Sequence, residues 1–387
     1  VERMSTAVTF FGQHVLNRVS FLRCSKEFIK KSLNHDSTVF ITFIEGEALI
    51  SPENGDLVQL SNSVKSYKNI LSAIVPLYTT LLNTTRSRSD ESGINVTFLG
   101  LLEGTDSAFN FEWSNISYKG TPYFGLDIRV TESTLFKKVD FEPIFSYPKV
   151  TRDHIFKQTN EDASLYSQGK MYLDWLAKYK FCPGCGSPLF PVEAGTKLQC
   201  SNENRNVYCN VRDARINNVC FPRTDPTVII ALTNSDYSKC CLARSKKRYG
   251  DFVLYSTIAG FMEPSETIEE ACIREIWEET GISCKNIDIV RSQPWPYPCS
   301  LMIGCLGIVQ FNSKNEVINL NHDDELLDAQ WFDTTEIIQA LDKYAGGYRV
   351  PFKNDINLPG STTIAFQLID HVCEDYKNLR KTSSSHL

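Results

Sequence analysis

Long apolar runs are missing from this sequence. The chain has 387 residues, of which 42% are hydrophobic and 22% are charged, but no apolar stretch approaches the roughly 20 residues that a membrane-spanning helix needs. The first residues also lack the apolar segment of a secretory signal peptide. Residues 1–3 precede Met4, and we interpret them as an added remnant. We therefore expect a protein that works without a membrane partner.

An excess of positive charge is missing as well. The chain has 40 lysines and arginines against 46 aspartates and glutamates, which gives a net charge of −6. This balance argues against broad non-specific binding to nucleic acids or to anionic membranes. It leaves room for a local basic pocket.

A secreted disulfide framework is not indicated either. The chain has 13 cysteines, an odd number, and no secretion signal, which together favour reduced thiols. Any close cluster of cysteines is therefore expected to bind metal rather than to form disulfides.

The length predicts two or three structural units. Residues 1–158 contain strand-like segments but no chemical motif, and we interpret them as a mixed, strand-rich domain. The sequence predicts a connecting helix over 159–180, a cysteine-rich unit over 181–222 and an α/β domain over 223–380. Residues 381–387 form a polar tail that we expect to be flexible.

The cysteine-rich unit has the spacing of a zinc site. Two residues lie between Cys182 and Cys185, fourteen between Cys185 and Cys200, and eight between Cys200 and Cys209. Four thiolates would form a closed tetrahedral site, which is structural rather than catalytic. The gap before Cys209 exceeds the usual spacing of about two to four residues, so Cys220 is an alternative fourth ligand.

Two other interpretations of this unit stay open. A C-x-x-C pair also occurs in thioredoxin-like redox sites, although the strand-to-helix context of such a site does not surround this pair. A zinc ribbon can also bind nucleic acid, which would make the protein a binding module.

The segment 263–279 concentrates seven acidic residues around a single basic one, Arg274. Its composition and flanking residues predict a helix. Three glutamates stand at i, i+3 and i+4 of that helix and so share one face: Glu275, Glu278 and Glu279.

A divalent cation is the natural partner of such a face. Mg²⁺ and Mn²⁺ take oxygen ligands and are commonly held by a few carboxylates together with substrate phosphates. Glu266 from the preceding loop can add a further carboxylate, and Arg274 can bracket Glu270 and Glu278, each four residues away. An ordinary solvated acidic helix is the alternative, which the charge pattern alone favours.

A second string, "SQPWPYPCS" at residues 292–300, alternates prolines with aromatic residues. Trp295 and its neighbours predict a rigid, extended aromatic wall on which a flat ring could stack. Gln293 and Ser300 can hydrogen-bond the edges or phosphates of a ligand. A strand-edge loop with core aromatics is the alternative.

The spacing around the acidic helix resembles the Nudix box, and on it the chain is identified as a member of the Nudix hydrolases. Every defined position of the box is present: Gly260, Glu266, Arg274-Glu275-Ile276, Glu278-Glu279 and Gly281-Ile282. The resemblance implies an α/β/α sandwich with the box as a loop-helix-loop. It also implies hydrolysis of a nucleoside diphosphate linked to another group.

Three motifs in order are similar to those of the NADH pyrophosphatase subfamily, of the fungal peroxisomal type. These motifs are a four-cysteine zinc unit, the string "FPRTDP" at 221–226, and "SQPWPYPCS", which departs from the subfamily only at Tyr297. The resemblance covers about residues 181–370. It implies hydrolysis of NADH to reduced nicotinamide mononucleotide and AMP, with NAD⁺ as a secondary substrate.

The resemblance also implies roles for individual residues. Mg²⁺ or Mn²⁺ would be held by Glu275, Glu278, Glu279 and Glu325, with Arg274 beside them in the catalytic site. Structural zinc would be held by Cys182, Cys185, Cys200 and Cys209. The dinucleotide would contact Phe221, Phe261, Gln293, Trp295, Ser300 and Ala365. Members of the subfamily are homodimers, so we expect a homodimer.

The last three residues, Ser385-His386-Leu387, resemble a C-terminal peroxisomal targeting signal in which His replaces Lys. We therefore expect binding by the peroxisomal import receptor and a peroxisomal location. An arbitrary polar tail is the alternative.

Two competing functions stay open. Removal of NAD caps from RNA 5′ ends uses the same pyrophosphate chemistry, and only the acidic charge and the peroxisomal signal favour the free dinucleotide. A catalytically silent nucleotide- or RNA-binding protein would be indicated by the loss of a box glutamate, but none is lost.

Overall fold

The computed structural model describes residues 8–61, 70–75, 78, 93–104, 109–129, 142–215, 220–246, 252–353 and 355–384. These residues divide into two structural units. One unit comprises residues 13–223, and the other comprises residues 8–12 together with 224–384. The sequence did not predict that residues 8–12 belong with the second half of the chain. The predicted targeting signal, Ser385-His386-Leu387, lies outside the described residues.

A mixed five-stranded sheet forms the centre of the unit of residues 13–223. Its strands are β1 (Val39–Ile44), β2 (Glu47–Ala48), β3 (Gln59–Ser61), β4 (Ile94–Leu102) and β7 (Thr121–Ile128). β1 and β7 run parallel to each other, and the remaining pairs are antiparallel. A separate hairpin joins β5 (Asn110–Trp113) to β6 (Ile116–Lys119). The prediction of a strand-rich N-terminal region is confirmed.

Helices pack around this sheet. They are a 3-10 turn (Ser20–Leu22), α1 (Lys26–Leu33), α2 (Glu142–Phe145), α3 (Arg152–Ile155) and α4 (Asn160–Lys178). α4 is the helix predicted over 159–180, and Thr159 caps it by accepting a hydrogen bond from the backbone N–H of Asp162. A Cβ at Gly125 of β7 would lie 3.2 Å from Leu173 of α4. This close approach makes α4 part of the unit rather than a free connector.

The cysteine-rich segment belongs to the same unit. β8 (Leu189–Val192) and β9 (Lys197–Cys200) form an antiparallel hairpin whose turn is a short 3-10 segment, Glu193–Gly195. Gly195 has φ of 82°, and a Cβ there would lie 2.2 Å from the carbonyl oxygen of Val96 in β4. Only glycine fits this close approach, so the turn fixes the hairpin against the sheet.

The second unit is built on a six-stranded sheet in the order β14-β15-β10-β11-β16, with β13 also paired to β10. Its strands are β10 (Asp225–Asn234), β11 (Lys239–Ser245), β13 (Ile258–Phe261), β14 (Asn286–Trp295), β15 (Ser300–Val309) and β16 (Leu326–Asp333). β10 and β15 are parallel, and the other pairs are antiparallel. A smaller sheet contains β12 (Val253–Leu254), β17 (Arg349–Pro351) and β18 (Ile356–Pro359).

Helices cover both faces of the six-stranded sheet. They are α5 (Ile268–Thr280), α6 (Thr334–Asp342) and α7 (Ile364–Ser384). Side chains alternate along β10, so that Val228 and Ile230 share a buried cluster with α5, while Ile229 and Ala231 share another with α6 and α7. The predicted α/β/α sandwich is therefore confirmed.

Across the residues that the structure describes, we find no helix with the length and apolar character needed to cross a membrane.

Candidate active site and metal centre

The local sequence fixes both ends of α5. Thr267 accepts a hydrogen bond of 3.2 Å from the backbone N–H of Glu270 and so caps the start of the helix. Gly281 ends the helix with φ of 69°, a conformation that glycine adopts without steric cost. Cys272 and Ile276 are buried on the side of the core. The turns that carry the box glutamates are therefore held at both ends and along one side.

Arg274 ties the acidic residues of the box together. Its Nε lies 2.6 Å from Oε1 of Glu266, and its Nη1 lies 2.7 Å from Oε1 of Glu275 and 2.9 Å from Oε2 of Glu278. Glu266 comes from the loop before α5 and receives a second bond, of 3.0 Å, from Nη2. Glu270, which the helical spacing had offered as a partner, is not one of these acceptors. The planar fork of arginine suits this multiple contact.

The charges around Arg274 are unevenly compensated. Its guanidinium holds the pKa of Glu266 below the usual range, and Glu266 in turn raises the pKa of Arg274. The pKa of Glu275 is raised, chiefly by burial and further by the charges of Glu278 and Glu325, although Arg274 opposes this. Three carboxylates, those of Glu266, Glu275 and Glu278, contact this one guanidinium, so negative charge is in excess around it.

Gly260 provides the space for Glu275. A Cβ at position 260 would lie 2.0 Å from Cδ of Glu275 and 2.2 Å from each of its oxygens. The adjacent residue, Phe261, accepts a hydrogen bond of 2.9 Å from Nη2 of Arg274 through its carbonyl oxygen. The strand end that carries Gly260 is thereby fastened to the acidic helix.

The two other predicted metal ligands lie on different elements. Glu279 is buried on α5, whereas Glu325 is exposed just before β16. The backbone carbonyl of Glu325 accepts a hydrogen bond of 2.9 Å from the N–H of Lys246 at the end of β11, and Lys246 also forms an ion pair with Asp324. This pairing holds the segment that carries Glu325 to the sheet.

The donor set suits a divalent cation. Carboxylate oxygens are the ligands that hard divalent ions prefer, and the excess negative charge at Glu275 is the kind that a cation would neutralise. Within the described ranges, the only group of three or more possible metal-ligand atoms that lie within 4.8 Å of one another is that of the four cysteines of the zinc unit. The oxygens of the box carboxylates are therefore more widely spaced than these sulfurs. The hydrogen bonds of Arg274 to Glu275 and Glu278 draw these two carboxylates toward the guanidinium.

The aromatic string of residues 292–300 forms a cluster with a residue from the start of the chain. The ring centroid of Trp295 lies 5.6 Å from that of Tyr297 and 5.9 Å from that of Phe11, both in edge-to-face geometry. Phe11 is buried and has φ of 70°. No pattern in the sequence predicted that Phe11 contacts this string, because Phe11 lies far from it along the chain and belongs to no motif.

Gln293, predicted to bind the dinucleotide, makes three hydrogen bonds to the backbone. It is fully buried, its Nε2 donates to the carbonyl oxygens of Phe10 and Thr362 at 2.9 Å each, and its Oε1 accepts from the N–H of Ile364 at 2.8 Å. These three bonds use the amide of Gln293 to hold backbone segments together, and its contact with a ligand stays a prediction. Ser300, at the start of β15, is also buried.

Three predicted pocket residues differ in exposure. Phe261 is 59% exposed, and Ala365, in the first turn of α7, is buried in the core. Phe221 is partly exposed in the unit of residues 13–223, where Nζ of Lys197 lies 5.2 Å from its ring centroid. Phe261 and Phe221 thus belong to different units of the chain.

The four predicted zinc ligands come together. Sγ of Cys182 lies 3.6 Å from that of Cys209, and Sγ of Cys185 lies 3.4 Å from that of Cys200. All four sulfurs lie within 4.8 Å of one another, and Cys220 is buried outside this group. Since Cys209 completes the group, the eight-residue gap before it is compatible with a fourth ligand.

The surroundings of these sulfurs fit a bound metal ion. Backbone N–H groups of Asn202 and Arg212 donate to Sγ of Cys200 and Cys209 at 3.4 Å each. Burial raises the pKa of Cys182 and of Cys200, so a cation is needed to keep the whole set as thiolates. Zinc commonly takes four such sulfurs as ligands in structural sites.

Arg212 and Asp213, which sequence reasoning missed, close the long loop between Cys200 and Cys209. The guanidinium of Arg212 donates to the carbonyl oxygens of Asn202, Asn204 and Val207 at 2.8, 3.1 and 2.7 Å. Asp213 accepts from Arg212 at 2.6 Å and from the N–H of Cys209 at 3.0 Å. The hydrogen bonds of Arg212, followed by that of Cys209, hold the pKa of Asp213 at about 2. The pair lies three and four positions after Cys209 in the sequence, and this closeness to a predicted zinc ligand is the only signal that could have indicated it.

Comparisons with known proteins agree with this geometry. The Nudix domain model matches residues 223–353, and the model of the NADH pyrophosphatase zinc ribbon domain matches residues 177–208. The chain is 99% identical to the NAD-capped RNA hydrolase NPY1 of Saccharomyces cerevisiae, over 99% of this chain and 100% of that protein. It is 31% identical to the NAD-capped RNA hydrolase of Schizosaccharomyces pombe, over 95% of this chain and 93% of that protein. It is also 31% identical to the NAD-capped RNA hydrolase NUDT12 of Homo sapiens, over 94% of this chain and 72% of that protein.

The predicted family membership is confirmed by the matches of both domains and by relatives that align over almost the whole chain. The chain belongs to the Nudix hydrolases, in the family of enzymes that carry the NADH pyrophosphatase zinc ribbon.

Proposed function

We propose that this protein hydrolyses the pyrophosphate bond of NADH, with NAD⁺ as a second substrate. Water adds to one phosphorus, the other phosphate keeps the bridging oxygen, and the products are AMP and reduced nicotinamide mononucleotide, or its oxidised form. The observation that carries the proposal is the face of α5 on which Arg274 orders Glu275 and Glu278. The zinc ribbon is typical of NADH pyrophosphatases, and this supports the choice of substrate.

The residues of the box would share the catalytic work. The carboxylates of Glu275, Glu278, Glu279 and Glu325 would hold Mg²⁺ or Mn²⁺, which would neutralise the pyrophosphate and lower the pKa of the attacking water. Arg274 holds Glu275 and Glu278 in place, and we assign it a positioning role. A box carboxylate accepts the proton of the attacking water as general base.

The aromatic residues suit a dinucleotide. Phe261 is exposed beside the Arg274 cluster, and its ring is available to stack on a flat base or on nicotinamide. Trp295 is held by Tyr297 and Phe11 in a fixed orientation. We propose a homodimer and a peroxisomal location on the subfamily resemblance and the C-terminal Ser-His-Leu.

Removal of NAD caps from RNA 5′ ends is the second candidate activity. The three relatives described above are named as NAD-capped RNA hydrolases. The reaction breaks the same bond, so the same carboxylates would serve it. The two activities differ only in what is attached to the adenosine ribose.

Product analysis by mass spectrometry tests both candidates. The purified protein is incubated with Mg²⁺ or Mn²⁺ and, separately, with NADH, NAD⁺, ADP-ribose and an NAD-capped RNA at equal concentration. Release of AMP from NADH faster than from the other free nucleotides is expected. Cleavage confined to ADP-ribose would contradict the proposal, and preference for the capped RNA would make decapping the main activity.

A pair of variants on one helix tests the role of the carboxylates. Glu278→Gln is expected to lower kcat by about 100-fold or more, because an electrostatic contact to the reacting groups is lost. Glu269→Gln changes an exposed glutamate of the same helix and should leave kcat within twofold. Normal turnover by Glu278→Gln would contradict the metal-carboxylate mechanism.

A further inference from the structure

Two of the most exposed aromatic rings of the chain stand on the zinc unit. Phe181 is 64% exposed and Tyr208 is 73% exposed. Each ring directly precedes a cysteine of one close pair, Cys182 and Cys209, whose sulfurs lie 3.6 Å apart. We call Lys180, Phe181, Arg205, Val207 and Tyr208 the zinc-edge surface.

The backbone beneath this surface is rigid. Phe181 pairs with Pro188 in an isolated bridge, and the N–H of Cys182 donates to the carbonyl oxygen of Ser187 at 2.7 Å. On the other side, the guanidinium of Arg212 donates to the carbonyl oxygen of Val207, and the N–H of Cys209 donates to the carboxylate of Asp213. Rings presented from a fixed backbone lose little conformational freedom when a ligand stacks on them. Their exposure therefore indicates a surface prepared for contact.

The charges around these rings favour an anionic partner. Between α4 and β10, residues 179–224 contain six lysines and arginines against three acidic residues, whereas acidic residues are in excess in the whole chain. A zinc ion with four thiolates would carry two negative charges at the cysteines, so the exposed cations decide what the surface attracts. Arg205, three positions before Tyr208, has 79% of its side chain exposed, and its Nη1 lies 3.5 Å from Oδ1 of Asp213.

We infer that the zinc-edge surface binds single-stranded RNA, with Phe181 and Tyr208 stacking on bases and Arg205 contacting a phosphate. Aromatic rings interleaved with cations are the arrangement by which proteins hold single strands with little sequence preference. The inference rests on the second candidate activity proposed above, and it gives a capped RNA a contact that free NADH lacks. An RNA substrate should therefore have a lower KM than free NADH.

Binding and turnover of the full-length zinc-loaded protein test the inference. The test variant is Phe181→Leu combined with Tyr208→Leu, and the matched control is Phe21→Leu combined with Trp113→Leu, which changes two exposed rings elsewhere in the same unit. Affinity for an uncapped 20-nucleotide RNA is measured by fluorescence anisotropy in a Glu278→Gln background, so that catalysis plays no part. The test variant is expected to bind RNA about tenfold or more weakly, since the stacking of bases on two rings is lost.

The same variants with Glu278 intact separate the inference from the proposed function. The test variant should raise KM for an NAD-capped RNA while kcat/KM for NADH stays within twofold and the zinc content is unchanged. Arg205→Gln should reduce the salt dependence of RNA binding by about one phosphate contact. Absence of NADH hydrolysis in the wild type would contradict the proposed function but not RNA binding.

Three outcomes would overturn the inference. The first is RNA affinity that is equal in the test variant and the wild type, and the second is an equal loss in the control variant. The third is a changed oligomeric state of the test variant, which would make the surface an interface between copies of the chain.

Discussion

The carboxylate of Glu275 occupies the space in which a side chain at position 260 would begin. A Cβ on Gly260 would lie 2.0 Å from Cδ of Glu275, which is far inside van der Waals contact. Gly260 is required here for space and not for an unusual backbone conformation, because its φ lies outside the left-handed region. The glycine and the glutamate of the box, fifteen positions apart, therefore form one steric unit.

Gly260→Ala should consequently disable the site without unfolding the protein. The new methyl group displaces the Glu275 carboxylate, and a misplacement of about 1 Å in a catalytic group can cost about 100-fold in rate. We expect kcat for NADH to fall by about that factor while the circular dichroism spectrum stays that of the wild type. Ala259→Gly, one position away on the same strand, serves as the control. Turnover of Gly260→Ala within twofold of the wild type would show that Glu275 has no fixed catalytic position.

Arg274→Lys should lower the affinity for the activating metal ion more than it lowers the stability of the fold. Lysine keeps the charge but lacks the planar fork that reaches Glu266, Glu275 and Glu278 together. Loss of a residue that orients metal ligands typically lowers metal affinity by about 10–100-fold. Titration of activity with Mn²⁺ measures this shift. Arg380→Lys, on the exposed end of α7, is the control, and an unchanged titration for Arg274→Lys would rule out its positioning role.

Gln293→Leu should lower stability without changing affinity for NADH. The substitution leaves the carbonyl oxygens of Phe10 and Thr362 and the N–H of Ile364 without their partner. Unsatisfied buried groups cost about 1–3 kcal/mol each, partly offset by relaxation, so we expect a loss of about 3 kcal/mol in the free energy of unfolding. Urea unfolding measures the loss, and Gln330→Leu, at an exposed position, should have little effect. A raised KM with unchanged stability would contradict this prediction and support the substrate-binding role predicted from the sequence.

The features that the sequence predicted well are those set by local spacing. Carboxylates at i, i+3 and i+4 must share a helix face, and a C-x-x-C pair must bring its sulfurs together, whatever the rest of the chain does. The features that it missed depend on distant partners. Gln293 bonds to Phe10, 283 positions earlier, and no local pattern contains that information.

The choice of partner for Arg274 shows the same limit at shorter range. Helical spacing offered Glu270 and Glu278 equally, yet the loop before α5 brings Glu266 to the guanidinium and Glu270 is left at the exposed start of the helix. The conformation of this loop, which the helix pattern does not describe, therefore decided that Glu266 and not Glu270 joins Glu278 at the guanidinium.

The zinc centre yields the last prediction, because its loop depends on one side chain. Arg212→Gln removes the guanidinium that holds the carbonyl oxygens of Asn202, Asn204 and Val207. The loop between Cys200 and Cys209 should then open more often and expose the thiolates to a chelator. Support of metal ligands by their surroundings is commonly worth about 10–100-fold in affinity, so zinc release to a coloured chelator should be faster by a factor in that range. Arg215→Gln, at an exposed position close by, should release zinc at the rate of the wild type. Equal rates for Arg212→Gln and the wild type would mean that the four cysteines hold the metal without help from the loop, and that the hydrogen bonds of Arg212 serve only the loop itself.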